Sequence, residues 1–336
     1  MNDFNYHKAA TIDEAVNVVN ENPRAAYLAG GTNIIDLWKY NIISPELLMD
    51  VNQLGEGIIE TSDGIRLSAF ITNSATAWHP LIEERYPLLS KAILAGASAQ
   101  IRNMATNGGN LLQRTRCYYF YDPNVPCNKR EPGSGCSAKE GYNRIHAILG
   151  ASEQCIAVFP SDMCVALAAL GAVLNVSGSA GNRSISFNDF HRLPGDTPQL
   201  DNNLLHDEII TSIDLPSKGF ATNYSYLKLR DRHSYAFALV SVATGLDLED
   251  NIIKEARIAL GGVAHKPWRV IAAEEYLVGK APTAENFAIA AEIILQGAIS
   301  FKYNAFKIEL SKRAIVRNCL MALDPSSQLP GSQPSA

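Results

Sequence analysis

Residues 25–40 read AAYLAGGTNIIDLWKY, and this stretch decides the kind of fold. The apolar run from Ala25 to Ala29 predicts a short strand, and the two glycines after it predict a tight turn. The following residues, IIDLWKY, begin a helical pattern. A strand, a glycine turn and a helix start in this order predict a small α/β unit at the beginning of the chain.

The turn Ala29-Gly30-Gly31-Thr32-Asn33 has the composition of a phosphate-binding turn. Two glycines allow backbone N–H groups to point in one direction, and the Thr and Asn side chains add donors. The N-terminus of the next helix would favour a negative group. The pattern is not G-x-G-x-x-G, so binding of NAD by a Rossmann fold is not supported. The alternative is a tight turn between a strand and a helix, with no ligand.

A second glycine turn, Thr106-Asn107-Gly108-Gly109-Asn110, repeats this chemistry further along the chain. Two such turns with neighbouring Thr and Asn donors could bracket a pyrophosphate from both sides. Two unrelated turns remain the alternative.

Four cysteines, Cys117, Cys127, Cys136 and Cys155, fall within 39 residues, separated by nine, eight and eighteen residues. The segment between them is rich in Gly, Pro, Asn and Ser and predicts a loop that needs an external constraint. An iron–sulfur cluster could supply that constraint, as could an irregular zinc site. The long gaps match neither zinc ribbons nor bacterial ferredoxins, and chance clustering of core cysteines is a third interpretation.

Two further polar groups are candidates. Ser161-Asp162 opens a helix, where Asp162 either caps the helix or accepts hydrogen bonds from the hydroxyl groups of a ligand. Lys228 lies on a predicted strand and shares a face with Tyr226 and Arg230. Its cation could stabilise an anionic reduced flavin, and the alternative is a solvated face. Cys164, two residues after Asp162, is expected to be a buried core thiol.

Composition limits the class of protein. The chain has 336 residues, of which 47% are hydrophobic, and a net charge of −5. This size allows two or three domains, and the charge does not suggest nucleic-acid binding. The sequence starts without the pattern of a signal peptide, and no apolar run is long enough to span a membrane. We therefore expect synthesis in the cytoplasm, with export possible only in the folded state together with a signal-bearing partner.

Further along, residues 205–215 predict an edge strand that ends at Pro216. A second unit begins near Tyr224. Three predicted strands, residues 224–229, 237–248 and 256–263, suggest an antiparallel sheet, which helical stretches follow. The end of the chain is rich in Pro, Ser and Gln and is expected to be disordered.

The order of the motifs AGGTN, TNGGNLLQRTRC, PSD, YLKLRDRHSYAFALVSVA and ALGGVAHKPWRV resembles the flavoprotein subunit of the molybdenum hydroxylases. This family includes xanthine dehydrogenase, carbon monoxide dehydrogenase and aldehyde oxidoreductases. The cysteine-bearing insertion is similar to that of the flavin subunits of bacterial periplasmic aldehyde oxidoreductases, and more loosely to that of 4-hydroxybenzoyl-CoA reductase. Both of these carry an additional [4Fe-4S] cluster.

The resemblance implies an α+β fold in two parts. Residues 1–220 would form an FAD-binding domain of the vanillyl-alcohol-oxidase type with two α/β subdomains, and the iron–sulfur loop would occupy residues 114–156. Residues 221–324 would form a C-terminal domain with a three-stranded antiparallel sheet and a helical bundle. Residues 325–336 would be the disordered tail.

The resemblance also implies the site residues. Leu28, Ala29, Gly30, Gly31, Thr32, Asn33 and Ile34 would wrap the FAD pyrophosphate. Thr106, Gly109 and Asn110 would line its other side, with Gln113 nearby. Asp162 would bind hydroxyl groups of the FAD chain, and Lys228 would lie near the isoalloxazine ring. Cys117, Cys127, Cys136 and Cys155 would ligate the [4Fe-4S] cluster.

The implied function is electron transfer, and no catalytic residue is predicted in this chain. A large partner would hold the molybdenum cofactor and oxidise an aldehyde- or xanthine-type substrate, and a small partner with [2Fe-2S] clusters would pass electrons to FAD in a heterotrimer. FAD would deliver them to a terminal acceptor, which we expect not to be NAD because no dedicated motif is present. The alternatives are a stand-alone FAD oxidoreductase and a metal-clamped iron–sulfur sensor or interaction protein.

Overall fold

The fold was obtained as a computed structural model that describes residues 2–327. The predicted tail lies outside the described residues from residue 328 onward. The described residues form three β-sheets. The first and third sheets each use strands from one region of the sequence, and the second combines strands from two regions.

The first sheet is small and parallel. It contains β1 (Asn5–Lys8), β2 (Ala25–Leu28) and β3 (Leu47–Asp50) in the order β1-β3-β2. Parallel strands need a crossover connection, and helix α1 (Ile12–Glu21) supplies the first one. Thr11 caps this helix by accepting a hydrogen bond from the Glu14 N–H, as its sequence pattern predicts.

The second sheet has five strands in the order β4-β5-β8-β6-β7, and all neighbours are antiparallel. The strands are β4 (Ile58–Thr61), β5 (Gly64–Ser68), β6 (Val173–Gly178), β7 (Gly181–Ser186) and β8 (Ile209–Pro216). The prediction of an edge strand before Pro216 is wrong, because β8 pairs with β5 on one side and β6 on the other. Pro216 is tolerated because the pairing of β8 with β6 ends at Asp214, so that only β5 lies beside the proline.

The third sheet is also antiparallel, in the order β12-β11-β10-β9. Its strands are β9 (Asn223–Leu229), β10 (Val240–Glu249), β11 (Ile252–Gly261) and the two-residue β12 (Trp268–Arg269). The three long strands match the three that the sequence predicts. The fourth was not predicted, since a two-residue strand leaves no periodic signal.

Short helices connect the sheets, and longer ones cover the third sheet. The remaining helices are α2 (Ile34–Lys39), α3 (Asn73–Ala77), α4 (Pro80–Arg85), α5 (Pro87–Ala95), α6 (Ala99–Arg102), α7 (Asn107–Leu111), α8 (Tyr118–Tyr121), α9 (Ser137–Glu140), α10 (Asp162–Leu170), α11 (Phe187–Phe190), α12 (Ile271–Leu277), α13 (Ala284–Ile294) and α14 (Phe306–Leu323). A single 3₁₀ turn, Pro325–Ser327, follows α14.

Helix α10 joins the two large sheets. All nine of its residues are buried, and one hydrophobic core includes this helix, strands of the second sheet and Tyr226, Ala243 and Ala259 of the third. Ser161 caps it by accepting a hydrogen bond from the Cys164 N–H at 3.1 Å. The start of α10 therefore lies where the two parts of the chain meet, which fixes the surroundings of Asp162.

Candidate functional site

The two glycine turns border one cavity of about 290 Å³. The first turn contributes residues 29–34 to its lining, and the second contributes Thr106, Gly108 and Gly109. The structure therefore brings together two turns that are far apart in the sequence, as the interpretation of a shared ligand requires. Of the residues predicted for the cofactor, Leu28, Asn110, Asp162 and Lys228 do not line this cavity.

The first turn is held directly against the backbone that precedes the second. A Cβ atom added at Gly30 would lie 1.8 Å from the backbone oxygen of Met104. Gly31 has a φ of +73°, a backbone conformation that residues with side chains rarely adopt. Gly30 is therefore required by close approach, and Gly31 by its backbone conformation.

Asn33 carries an unused donor at the cavity. Its Oδ1 accepts a hydrogen bond from the Arg114 N–H at 2.9 Å, which ties the first turn to the segment after the second. Its Nδ2 is buried and makes no well-aligned hydrogen bond in the described part of the chain, although the Asn33 side chain also interacts with the Tyr121 hydroxyl. A buried amide donor without a partner is costly, and an anionic oxygen in the cavity would satisfy it.

The second turn is the start of α7. Thr106 caps it by accepting a hydrogen bond from the Gly109 N–H at 3.2 Å. The Oδ1 atom of Asn110 accepts hydrogen bonds from Ser161 Oγ at 2.6 Å and from Gln113 Nε2 at 2.8 Å. Asn110 thus connects the second turn to the N-cap of α10.

Asp162 and Lys228 form a buried ion pair. Lys228 Nζ lies 2.7 Å from Asp162 Oδ2, and the Tyr226 hydroxyl donates to Asp162 Oδ1 at 2.6 Å. The side chain of Lys228 is 1% exposed, so the interpretation as a solvated face is wrong. Capping is also not the role of the Asp162 side chain, because Ser161 caps the helix. Burial raises the pKa of Tyr226 well above its ordinary value, with the Asp162 charge as a second cause.

Asp162 borders a second, smaller cavity of about 40 Å³ between the two parts of the chain. Its lining includes Arg116 and Phe237, whose guanidinium and ring lie 5.2 Å apart. This cavity has no lining residue in common with the one at the glycine turns, and the hydrogen bond from Ser161, which lines it, to Asn110 connects it to the second turn.

The four clustered cysteines line one small cavity. Cys117, Cys127 and Cys155 are buried and Cys136 is half-buried. Cys127 and Cys136 also face each other in an isolated antiparallel bridge. The chain therefore brings together sulfurs that the sequence separates by long gaps. Cys164 and Cys319 lie elsewhere as buried single thiols, as expected for Cys164.

Backbone amides surround the cysteine sulfurs. The N–H groups of Phe120 and Tyr119 interact with the Cys117 thiol, and that of Ala138 with the Cys136 thiol. A hydrogen bond from Cys155 lowers the pKa of Cys136 below its ordinary value. Burial raises the pKa of Cys117 to about 12, so this thiol becomes a thiolate only with the help of a cation.

Two histidines that sequence reasoning missed contact the cysteines. His146 Nε2 lies 3.1 Å from Cys117 Sγ, and His265 Nε2 lies 3.3 Å from Cys155 Sγ. Burial lowers their pKa values to about 4 and about 3, so both rings are neutral at pH 7. His265 belongs to the motif ALGGVAHKPWRV, but nothing in the sequence places it beside a cysteine 110 residues earlier.

Within residues 2–327, no group of three or more His, Cys, Asp or Glu side chains is placed to hold a metal ion. The metal ligand set therefore stays a prediction. Over the same residues, no helix combines the length and apolar character needed to cross a membrane.

Sequence reasoning also missed most of the apolar wall of the larger cavity. The further lining residues are Tyr27, Leu37, Ile43, Val51, Ala69, Phe70, Leu112, Arg114, Glu208, Ile209 and Ile210. They come from strand ends and loops of different regions, and all except Arg114 and Glu208 are apolar, as core residues are. Only the pairing of strands places them beside the turns.

Comparison with known proteins agrees with this arrangement. Residues 2–218 match the FAD binding domain in molybdopterin dehydrogenase, and residues 224–322 match the CO dehydrogenase flavoprotein C-terminal domain. The chain belongs to the FAD-binding subunits of the molybdenum hydroxylases. It is 46% identical over 318 residues to the aldehyde oxidoreductase FAD-binding subunit PaoB of Escherichia coli, covering 94% of this chain and 96% of the relative.

Two more distant relatives extend the comparison. The glyceraldehyde dehydrogenase medium chain of Sulfolobus acidocaldarius is 27% identical and covers 83% of this chain and 82% of its own. The solved structure of quinoline 2-oxidoreductase from Pseudomonas putida 86 superposes with a TM-score of 0.73 at 25% identity, covering 97% of this chain and 98% of that one.

These findings decide several of the expectations. The recognised family, the mixed α+β fold, the FAD-binding and C-terminal domains, and the role as a subunit of a multi-subunit enzyme are confirmed. The vanillyl-alcohol-oxidase-type arrangement of two subdomains stays a prediction, as do the domain boundaries and the individual site residues.

Proposed function

We propose that this chain binds FAD and a [4Fe-4S] cluster and passes electrons from a small iron–sulfur subunit to a terminal acceptor. It would do so beside a large subunit that holds the molybdenum cofactor and oxidises an aldehyde. The observation that carries the proposal is the single cavity that both glycine turns border. The name of the E. coli relative, an aldehyde oxidoreductase subunit, supports the choice of an aldehyde.

The pyrophosphate of FAD fits between the two turns. Residues 28–34 would wrap one side, with Asn33 Nδ2 as a donor that makes no well-aligned hydrogen bond among the described residues. Thr106 and Gly109 would line the other side, and Asn110 would hold the second turn in place through Ser161. Backbone N–H groups in such turns bind anions without needing a charged side chain.

The ion pair of Lys228 and Asp162 would lie beside the redox-active part of the cofactor. FAD supplies chemistry in steps of one or two electrons, and the protein supplies position and electrostatics. In our proposal, Lys228 holds a positive charge near the isoalloxazine ring, and Asp162 fixes Lys228 while sharing its oxygens with hydroxyl groups of the FAD chain. Tyr226 keeps the carboxylate in place at 2.6 Å.

The four thiols fit a cluster better than a single zinc ion. A structural zinc ion needs four ligands converging on one point, at about 2.0–2.3 Å. Here the four cysteines border one cavity. A [4Fe-4S] cluster takes one cysteine per iron, so its ligands surround a cavity. Amide N–H groups near Cys117 and Cys136 would stabilise the thiolates.

The relatives named as FAD-binding subunit and medium chain indicate the partners. We propose a heterotrimer with one large and one small subunit. Its compartment would be the periplasm if a signal-bearing partner carries the folded complex across the membrane, and otherwise the cytoplasm.

The test is anaerobic purification of the chain together with co-expressed neighbouring subunits, followed by flavin and iron analysis. We expect one FAD and about four irons per chain beyond those of the small subunit. FAD without the additional iron would refute the cluster, and absence of both would refute the proposal as a whole. Gly31→Asp should abolish FAD binding, whereas Gly181→Asp, at another glycine of positive φ with open space around it, should retain it.

A further inference from the structure

Two neutral histidines lie against the cysteine cavity and have no role in the function proposed above. His146 and His265 are 1% and 7% exposed. Each presents Nε2 to a different cysteine, at 3.1 Å from Cys117 Sγ and 3.3 Å from Cys155 Sγ. Two buried rings in the same relation to two sulfurs suggest a shared purpose.

Ligation of iron by the two cysteines would set the tautomer of both rings. A cysteine that ligates iron is a thiolate and has no hydrogen, so the hydrogen between sulfur and ring must be carried by Nε2. Nδ1 of both rings is buried and makes no well-aligned hydrogen bond among the described residues, although the Asn143 backbone also interacts with the His146 ring. With the hydrogen on Nε2, Nδ1 is a bare acceptor; with the hydrogen on Nδ1, a buried N–H would lack an acceptor and two lone pairs would face each other.

We propose that His146 and His265 donate Nε2–H hydrogen bonds to the ligand thiolates of Cys117 and Cys155 and thereby raise the reduction potential of the cluster, an inference that rests on the cluster proposed above. Reduction adds negative charge, part of which resides on the sulfurs. A donor aimed at a sulfur stabilises the reduced form more than the oxidised form, because hydrogen bonds to charged acceptors strengthen with the charge.

Hydrogen bonds between the two parts of the chain hold the backbone at or beside both histidines. The backbone oxygen of His146 accepts hydrogen bonds from Lys307 Nζ at 2.8 Å and Asn304 Nδ2 at 3.2 Å. His265 follows strand β11, and the neighbouring Ala264 accepts a hydrogen bond from the Phe159 N–H at 2.9 Å. His146 and His265 would therefore act on the cluster only through its cysteine ligands. The residues that hold their backbone lie outside the cysteine loop.

The experiment compares variants that keep or lose the donor. His146→Leu and His265→Leu remove the hydrogen bond, and His146→Gln retains an N–H donor. His191→Leu is the matched control, because His191 is also buried and its Nε2–H donates to the Leu111 backbone oxygen at 2.9 Å rather than to a cysteine. The readouts are iron per chain and an EPR-monitored redox titration of the [4Fe-4S] signal in the purified complex.

We expect each Leu variant to shift the redox equilibrium towards the oxidised cluster by about tenfold, which is about 59 mV for a one-electron couple. His146→Gln should recover part of this shift, and His191→Leu should show none. Full iron with an unchanged potential in both Leu variants would overturn the proposal. Loss of iron from these variants but not from His191→Leu would also overturn it, in favour of a role in cluster assembly. A wild-type complex without the additional iron would instead refute the proposed function.

Discussion

Replacing Gly30 by alanine tests whether the two glycine turns act as one ligand site. The added Cβ would lie 1.8 Å from the Met104 oxygen, whereas real Cβ contacts essentially never fall below 3.0 Å. The backbones must separate by at least 1.2 Å, the difference between these distances. Overpacking of this kind costs about 1–3 kcal/mol. This free energy destabilises the arrangement in which the two turns lie close enough to hold the pyrophosphate. FAD binding should then weaken by roughly 5- to 150-fold.

Gly219→Ala separates this local effect from general destabilisation. A Cβ at Gly219 would lie 1.7 Å from the Arg85 oxygen, a matching clash with a backbone carbonyl, but Gly219 does not line the cavity. Both variants should lose a similar free energy of unfolding in urea, and only Gly30→Ala should lose FAD affinity. The assay is titration of flavin-depleted protein with FAD, followed by quenching of flavin fluorescence. Equal dissociation constants for Gly30→Ala, Gly219→Ala and the wild type would refute the shared site.

Three further predictions concern buried polar groups. Cys127→Ser is expected to lose the additional iron on analysis of the purified complex, while Cys319→Ser keeps it; equal iron in both would contradict the ligand assignment. Lys228→Met leaves the buried Asp162 carboxylate without its cation and should lower the free energy of unfolding in urea by about 3–5 kcal/mol. A decrease below about 1 kcal/mol would contradict the description of Lys228 and Asp162 as a buried ion pair. Burial lowers the pKa of Lys307 from 10.5 to about 7, so between these values the unfolded chain binds a proton that the folded chain does not. The free energy of unfolding of the wild type should therefore rise with pH by up to about 1.4 kcal/mol per pH unit more than that of Lys307→Met. The same pH dependence in both proteins between pH 7 and 9, measured by urea unfolding, would contradict the lowered pKa of Lys307.

The sequence predicted the local features that depend on local chemistry. The strand, turn and helix around Gly30 and Gly31 are present, and the start of α10 at Asp162 is where the sequence predicts it. Glycine turns and helix caps need only neighbouring residues, so their signals are short-range. Whether Lys228 would be solvated or buried was not decided by such signals.

The errors concern features that depend on distant parts of the chain. The strand before Pro216 was predicted at an edge, and it is central because β5 and β6 flank it. Its proline indicated an edge, but β6 pairs with the strand only as far as Asp214, so Pro216 itself has a neighbour on one side only. Lys228 is buried because Asp162 lies 2.7 Å away, on a helix 66 residues earlier. His146 and His265 were missed for the same reason, since their cysteine partners are 29 and 110 residues away.

The loop that bears the cysteines is also held in place by hydrogen bonds that involve no cysteine. The N–H groups of Ile148 and Leu149 donate to the Val263 oxygen at 3.0 and 3.1 Å, and the Ile299 N–H donates to the Ile148 oxygen at 2.8 Å. Lys307 Nζ adds a bond to the Gly262 oxygen at 2.6 Å, beside its bond to His146. These contacts hold the far half of the loop against the C-terminal part of the chain without using any cysteine.

A loop anchored in this way does not need a cluster as its only constraint, so we expect the cysteines to be kept for electron transfer rather than for folding. The two roles differ in what Cys127→Ser does to stability. A structural clamp predicts that iron loss and loss of cooperative unfolding occur together, because metal binding free energy would be folding free energy. An electron relay predicts iron loss with a nearly unchanged urea midpoint, together with slower transfer of electrons to FAD in single-turnover measurements. An unfolded or aggregated Cys127→Ser variant, beside a stable Cys319→Ser, would decide for the clamp.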